Sequence, residues 1–145
     1  MSSSSSQALA NLARIGQLKA EAPDARERAG LLRSATVRLH DAKQTILSLE
    51  SRFDLAYNAA HAAALCALRY HGYRSDNRYL AFQSLEHTLG YAPQQWLLLN
   101  QAHKKRNLAE YEGELDVTVG FVNELIAHVE QLLAAAQALG NAPPP

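Results

Sequence analysis

The stretch that decides the fold is RFDLAYNAAHAAALCALRYH, residues 52–71, which is apolar on almost every side of a helix. Alanine recurs through it, and such small side chains let neighbouring helices approach closely. A helix that is apolar all round is buried in a larger structure. Asn58 and His61 are its polar interruptions, and a histidine in an alanine field is more often a hydrogen-bonded core residue than a ligand or a base. The sequence therefore predicts a bundle built around this helix.

The composition supports a single all-helical domain. The chain has 145 residues, 48% of them hydrophobic, and few glycines or prolines in its middle. Its 14 basic and 14 acidic residues balance, so a nucleic-acid contact has to rest on a local patch rather than on net charge. The single Cys66 has no intrachain disulfide partner. The start MSSSSSQ does not resemble a signal peptide, and no apolar run reaches the roughly 18 residues of a membrane span, so we expect a cytoplasmic protein without a membrane partner.

Hydrophobic periodicity predicts an all-α, up-and-down bundle of five to six helices in one domain, residues 7–140, between disordered segments at 1–6 and 141–145. Apolar residues in the second predicted helix alternate steps of three and four up to Leu49, and Ser51 is expected to cap the central helix. The second and last helices are expected to pack against the central one. The helices flanking the central one are predicted at 7–20, 24–49, 78–89, 93–113 and 116–139.

The densest cluster of functional groups is HKKRNLAEYEG, residues 103–113, which ends a helix at Gly113. Four of its polar side chains fall on one broad helix face: His103, Arg106, Asn107 and Glu110. Tyr111 flanks that face. A base, a cation, an amide, an acid and a phenol suit a phosphate-handling site. The same pattern is equally typical of a solvated helix surface on which Arg106 and Glu110 form an i,i+4 ion pair.

A second group of candidate ligand-binding residues follows the central helix. Tyr73, Arg74 and Arg78 interleave cations with aromatic rings, a combination that holds phosphates and stacks bases. A solvated loop whose tyrosines cover the edge of the core explains the same residues equally well. The sequence indicates no metal site and no cofactor, because it contains no histidine pair at i,i+4 with a carboxylate, no glycine-rich phosphate loop and no CxxC.

Two stretches resemble the HEPN superfamily (higher eukaryotes and prokaryotes nucleotide-binding domains). SRFDLAYNAAHAAALCALRYHGYRS, residues 51–75, is similar to the small-residue helix and glycine-ended loop of many members. HKKRNLAEYEG is similar to the late helix that carries the family signature, an arginine followed after four to six residues by a histidine. The resemblance extends over roughly residues 24–139 in helix order. It implies a four- or five-helix bundle that is often a homodimer, with two signatures facing each other in the ribonuclease members.

By that resemblance, Arg106 matches the signature arginine and Asn107 the polar residue after it. The three positions allowed for the histidine hold Tyr111, Glu112 and Gly113 instead. Metal-free RNA cleavage uses a histidine to move the 2′-hydroxyl proton, whereas tyrosine, with an ordinary pKa near 10, is a poor base at neutral pH. His103 lies three residues before Arg106 on the same face and is the alternative proton carrier.

Three functions stay open at this point. The first is a non-catalytic module that binds a nucleotide, RNA or a partner protein such as a nucleotidyltransferase. The second is a toxin-like, metal-independent endoribonuclease that uses His103 or Tyr111 with Arg106. The third is a structural helical dimer in which Arg106 and Glu110 form part of an interface ion-pair network.

Overall fold

The computed structural model describes residues 3–140, and they form helices joined by short connections and one two-stranded ladder. Only Ser84 separates α4 from α5, so these two count as one interrupted helix and the bundle has six helices. The predicted all-α bundle of five to six helices is confirmed. The elements in chain order are α1 Ser3–Arg14, β1 Lys19–Ala20, α2 Ala25–Ala42, α3 Leu49–Tyr70, β2 Tyr73–Arg74, α4 Arg78–Gln83, α5 Leu85–Thr88, α6 Pro93–Glu112 and α7 Val119–Ala138.

Helix α3 is the centre of the bundle, because 14 of its 22 residues are buried. Its alanines leave room for α2 and α7 to pack along it, and these are its most extensive contacts. α7 contributes a leucine and valine stripe that includes Val122, Leu125 and Val129. The predicted central helix and its two flanking helices are therefore confirmed.

The N-terminal segment packs on the same chain. Helix α1 begins at Ser3, so residues 3–6 are helical where a disordered start is predicted. Residues 1–2 and the predicted disordered tail, 141–145, lie outside the described residues. Leu9 and Leu18 pack against Leu68 of α3 in a small second core. β1 pairs antiparallel with β2, which ties the chain before α2 to the chain after α3. A ladder of two residues is too short to leave a periodic signal in the sequence.

The junction between α2 and α3 corrects the predicted helix boundaries. α2 ends at Ala42, seven residues before the predicted end, and residues 43–48 turn before α3 begins. Ser48, not Ser51, caps α3: its side-chain oxygen accepts the Ser51 N–H at 3.1 Å. Ile46, expected in the apolar stripe of α2, is 93% exposed. Because Ile46 continues the apolar spacing, periodicity alone extends the helix through this turn. The start of α3 depends instead on the Ser48 hydroxyl, which periodicity does not detect.

Helix α6 begins and ends where the sequence predicts. Pro93 occupies its first turn, where a missing N–H costs nothing, and Gln95 Oε1 accepts the Ala92 N–H at 2.7 Å. Gly113 ends it in the left-handed conformation with φ 79°, which glycine adopts without strain. These two ends orient the face that carries His103 and Arg106. Within residues 3–140, none of the helices is both long and apolar enough to cross a bilayer.

Candidate functional site

The predicted stripe on α6 meets α3 and α4 around one buried aromatic ring, Tyr57 of α3. Tyr57 is fully buried. The Cζ atoms of Arg78, from α4, and Arg106, from α6, lie 5.3 and 5.2 Å from the centroid of its ring. A guanidinium at such a distance is attracted by the π-electrons of the ring. We call the group Tyr57, Asn58, Arg78, His103, Arg106 and Asn107 the two-arginine site.

Each arginine of the site is held by a different kind of partner. Arg78 lies in the first turn of α4 and donates from Nη1 to Asn58 Oδ1 at 2.9 Å. Among residues 3–140 it has no carboxylate within ion-pairing distance. Arg106 pairs with Glu110 at 3.0 Å, which confirms the predicted i,i+4 ion pair. Because the Glu110 side chain is 62% exposed, this pair is a weak competitor for an incoming anion.

His103 connects the two-arginine site to the core. Its Nδ1 lies 2.9 Å from the Tyr57 hydroxyl, and Asn107 Nδ2 lies 3.1 Å from its Nε2. An amide nitrogen only donates, so Nε2 accepts from Asn107 and a neutral ring carries its proton on Nδ1, towards Tyr57. Burial lowers the pKa of His103 below its ordinary value, and the charges of Arg106 and Arg78 lower it further. The imidazole is therefore neutral at pH 7.

The two arginines act on the neighbouring titratable groups as well. Burial lowers the pKa of His61 to about 4, with further contributions from Arg78 and Arg106. Burial raises the pKa of the Tyr57 phenol, and the same two cations oppose that rise. His61 packs edge-on against Phe82, and its buried Nε2 has no protein hydrogen-bond partner in the described chain. The expectation of a hydrogen-bonded core histidine is thus wrong for this atom.

Arg74 and Tyr73, predicted as ligand-binding residues with Arg78, lie elsewhere. Arg74 forms ion pairs with Glu21 and Glu27, and the same two carboxylates hold Arg69. The Tyr73 carbonyl accepts from Arg69 Nη1 at 3.4 Å. Because both carboxylates already neutralise Arg74, it is a poor candidate for a phosphate ligand. The sequence grouped these residues with Arg78 by proximity in the chain, but β2 turns them towards α2.

Tyr111 also lies apart from the two-arginine site. Its side chain is 92% exposed, and among the described residues it has no hydrogen bond, ion pair or ring contact. Helix α6 continues through Glu112, so Tyr111 keeps its predicted place beside the stripe, but no contact in the described structure holds its phenol near Arg106. Glu110 does lie on the stripe, as the partner of Arg106.

Sequence reasoning missed three residues of this region. Tyr57, which is 46 residues before His103 in the chain, and Asn58 come from α3, and Tyr79 packs against both His103 and Trp96. Only Asn58 left a signal, as a polar interruption of the central helix. Its amide oxygen accepts a hydrogen bond from Arg78, so this polar group in the central helix is satisfied.

The groups gathered in the two-arginine site are of kinds that can hydrogen-bond to an anion. The site presents two guanidinium groups, a neutral imidazole and two amides around a buried ring, and guanidinium groups match phosphate oxygens bidentately. In residues 3–140, no three histidine, cysteine or acidic side chains cluster in a way that would hold a metal ion. Comparison of the chain with protein-family models, with curated proteins and with solved structures finds no match.

Proposed function

We propose that the chain is a HEPN-like helical module that binds the phosphate of a nucleotide or of RNA at the two-arginine site. One observation carries the proposal: two guanidinium groups from different helices flank one buried tyrosine, and Arg78 has no carboxylate partner among residues 3–140. The charges of Arg69 and Arg74 are neutralised by Glu21 and Glu27. Arg78 is instead oriented by the neutral amide of Asn58, which leaves its charge available to an anion.

The site is preorganised for this role. Stacking on Tyr57 and the Asn58 bond fix Arg78 before a ligand arrives, which reduces the entropy lost on binding. A phosphate that approaches Arg106 replaces an exposed carboxylate, Glu110, whose ion pair is worth at most about 1 kcal/mol. A charge-assisted hydrogen bond to phosphate is worth about 1.5–3 kcal/mol. The exchange therefore favours the ligand.

The proposed module binds without cleaving. The position of the signature histidine holds Tyr111, which is 92% exposed and held by no contact in the described structure. The HEPN resemblance, the homodimer, the nucleotidyltransferase-type partner and the cytoplasmic location stay predictions from the sequence, as does the structural dimer in which Arg106 and Glu110 serve an interface.

A second candidate, a metal-independent endoribonuclease, is favoured by the position of His103. Its lowered pKa keeps the imidazole neutral at pH 7, and it shares the site with Arg106. A neutral imidazole accepts the 2′-hydroxyl proton, and a guanidinium stabilises the charge that develops on the phosphorane. Opposing this, Nε2 already accepts from Asn107, so that hydrogen bond has to break before the ring acts as a base.

The test is the binding of a fluorescein-labelled oligoribonucleotide, followed by fluorescence anisotropy. We expect Arg78→Ala and Arg106→Ala each to weaken binding by about 10- to 100-fold, the loss of one charge-assisted contact. Arg33→Ala is the matched control, because it removes the same charge from an exposed position on α2 and should leave binding nearly unchanged. Equal losses in all three variants would show charge attraction alone and contradict the proposal.

The same protein, incubated with the oligonucleotide and analysed on a denaturing gel, separates the two candidates. The binding module leaves the RNA intact. Cleavage by the unmutated protein that disappears in His103→Ala and in Arg106→Ala would select the endoribonuclease instead.

A further inference from the structure

A second surface, distinct from the two-arginine site, lies between the start of α3 and the end of α6. It is an open groove of about 650 Å³. Leu55 and Leu115, which are partly buried, give it an apolar floor, and Leu47 lines its exposed edge. The carboxylates of Glu50, Asp54 and Glu110 line it as well. We call it the acidic groove. Arg106 also lines it, but that charge is paired with Glu110.

The charge of the acidic groove is negative. Once Arg106 and Glu110 neutralise each other, Glu50 and Asp54 remain, and neither has an ion-pair partner among the described residues. Glu114 and Asp116 flank Leu115 in the chain, and Lys105, whose Nζ donates to the Asp116 carbonyl at 3.1 Å, offsets part of their charge. Carboxylates at this density repel a phosphate backbone and attract lysine and arginine.

The edge of the acidic groove exposes two large apolar residues of the turn between α2 and α3. Leu47 is 38% exposed, and its neighbour Ile46 is 93% exposed. Two adjacent large apolar side chains in a six-residue turn, beside an apolar floor, are unlike the scattered single leucines of an ordinary surface. Burying them against a partner removes apolar area from water and supplies the main favourable term in association.

From this combination we infer that the acidic groove docks a basic amphipathic segment of a partner protein. The segment presents apolar side chains at helical spacing to Leu47, Leu55 and Leu115, and its flanking lysines or arginines face Glu50 and Asp54. Apolar anchors in a groove supply affinity, and complementary charges set orientation and association rate. The inference does not depend on phosphate binding, because none of these five residues belongs to the two-arginine site.

The probe is a labelled helical peptide of about 15 residues, with leucines at i, i+3, i+4 and i+7 and lysines elsewhere, titrated into the full chain. A peptide with glutamate in place of every lysine is the matched ligand. We expect the lysine peptide to bind, the glutamate peptide to bind at least about tenfold more weakly, and added salt to weaken only the former.

The charge requirement is tested with the double variant Glu50→Gln, Asp54→Asn. It should weaken the lysine peptide roughly 3- to 30-fold, as expected for two rim charges. Asp76→Asn with Glu124→Gln removes two exposed carboxylates outside the groove and should change nothing. Circular dichroism confirms that both double variants keep their helices.

The apolar requirement is tested with Leu47→Gln against Val37→Gln, an exposed apolar residue on α2 outside the groove. Only Leu47→Gln should weaken binding, by roughly tenfold. Failure of the lysine peptide to bind, or equal binding by the groove variants, overturns the inference. Two other occupants would also overturn it. One is dimerisation in sedimentation experiments that Leu47→Gln abolishes, and the other is an oligoribonucleotide that shifts the NMR signals of Leu47, Glu50 and Asp54, which lie outside the two-arginine site.

Discussion

Replacing Arg69 with methionine should destabilise the fold more than replacing any exposed arginine. Arg69 is 1% exposed and ties three parts of the chain together. Its guanidinium donates to the carbonyls of Glu21 at 2.9 Å and Ala22 at 2.6 Å, and pairs with the Glu27 carboxylate. These contacts fix the segment between β1 and α2 against the end of α3. Methionine keeps most of the aliphatic packing but none of these bonds.

The size of the effect follows from what Arg69→Met leaves behind. Removing one partner of a fully buried ion pair typically costs about 3–5 kcal/mol. The side chains of Glu21 and Glu27 are 39% and 32% exposed, so they regain water and the loss is smaller. Arg74 stays beside Glu21 and Glu27 and neutralises part of their charge, which places the loss towards the lower end. A loss of about 3 kcal/mol is a large fraction of the about 5–15 kcal/mol that stabilises a typical domain.

Urea denaturation followed by circular dichroism at 25 °C measures this loss as a difference in unfolding free energy. Arg26→Met, on the exposed surface of α2, is the control and should stay within about 0.5 kcal/mol of the unmutated protein. An Arg69→Met protein less than about 1 kcal/mol below the unmutated one would refute the reasoning. The arginine–carboxylate cluster would then not be the structural anchor of β1, and Arg74 would again be a candidate ligand.

Three further predictions concern acid pH, a helix cap and a buried histidine. The hydrogen bond from Arg69 lowers the pKa of Glu27 below its ordinary value of 4.5. The stability that this carboxylate contributes is therefore present above pH 4.5 and is lost as the pH falls through the lowered pKa. Urea titrations between about pH 7 and 3 should show that Arg69→Met loses less unfolding free energy on acidification than the unmutated protein. Ser48→Ala should cost about 1 kcal/mol in the same assay and Ser51→Ala less than about 0.5 kcal/mol; the reverse order would restore Ser51 as the cap. The NMR signal of the His61 ring should titrate near pH 4, and a midpoint near 6.5 would show that the ring is not buried beside two cations.

The sequence predicts the helices well where a long apolar period is uninterrupted. The apolar character of α3 and the leucine and valine stripe of α7 are properties of single elements, so they are visible without the fold. The end of α2 was missed because Ile46 continues the spacing of the helix although the chain has already turned. The β1–β2 ladder was missed because two residues leave no periodic signal and because Arg69, which bonds the chain just after β1, finds its partners more than 40 residues earlier.

Only the site residues that share helix α6 could be predicted as one group from the sequence. The stripe His103, Arg106 and Asn107 follows from spacing on α6, and its internal bonds agree with that spacing. Tyr57 was invisible, because an aromatic residue in an apolar helix is normally core and its hydroxyl finds His103 only in the folded chain. Arg74 was grouped with Arg78 by proximity in the chain, because the sequence does not show that Glu21 and Glu27 neutralise it.

The decisive measurement follows the arginine side-chain Nε–Hε signals of isotope-labelled protein by NMR during titration with a nucleoside monophosphate. Phosphate binding at the two-arginine site predicts that the signals of Arg78 and Arg106 shift with one common dissociation constant, while those of Arg69 and Arg74 stay in place. The unphosphorylated nucleoside should leave all four unchanged. Shifts at Arg74 instead, or no shift at Arg78 and Arg106 at millimolar nucleotide, would contradict phosphate binding at this site.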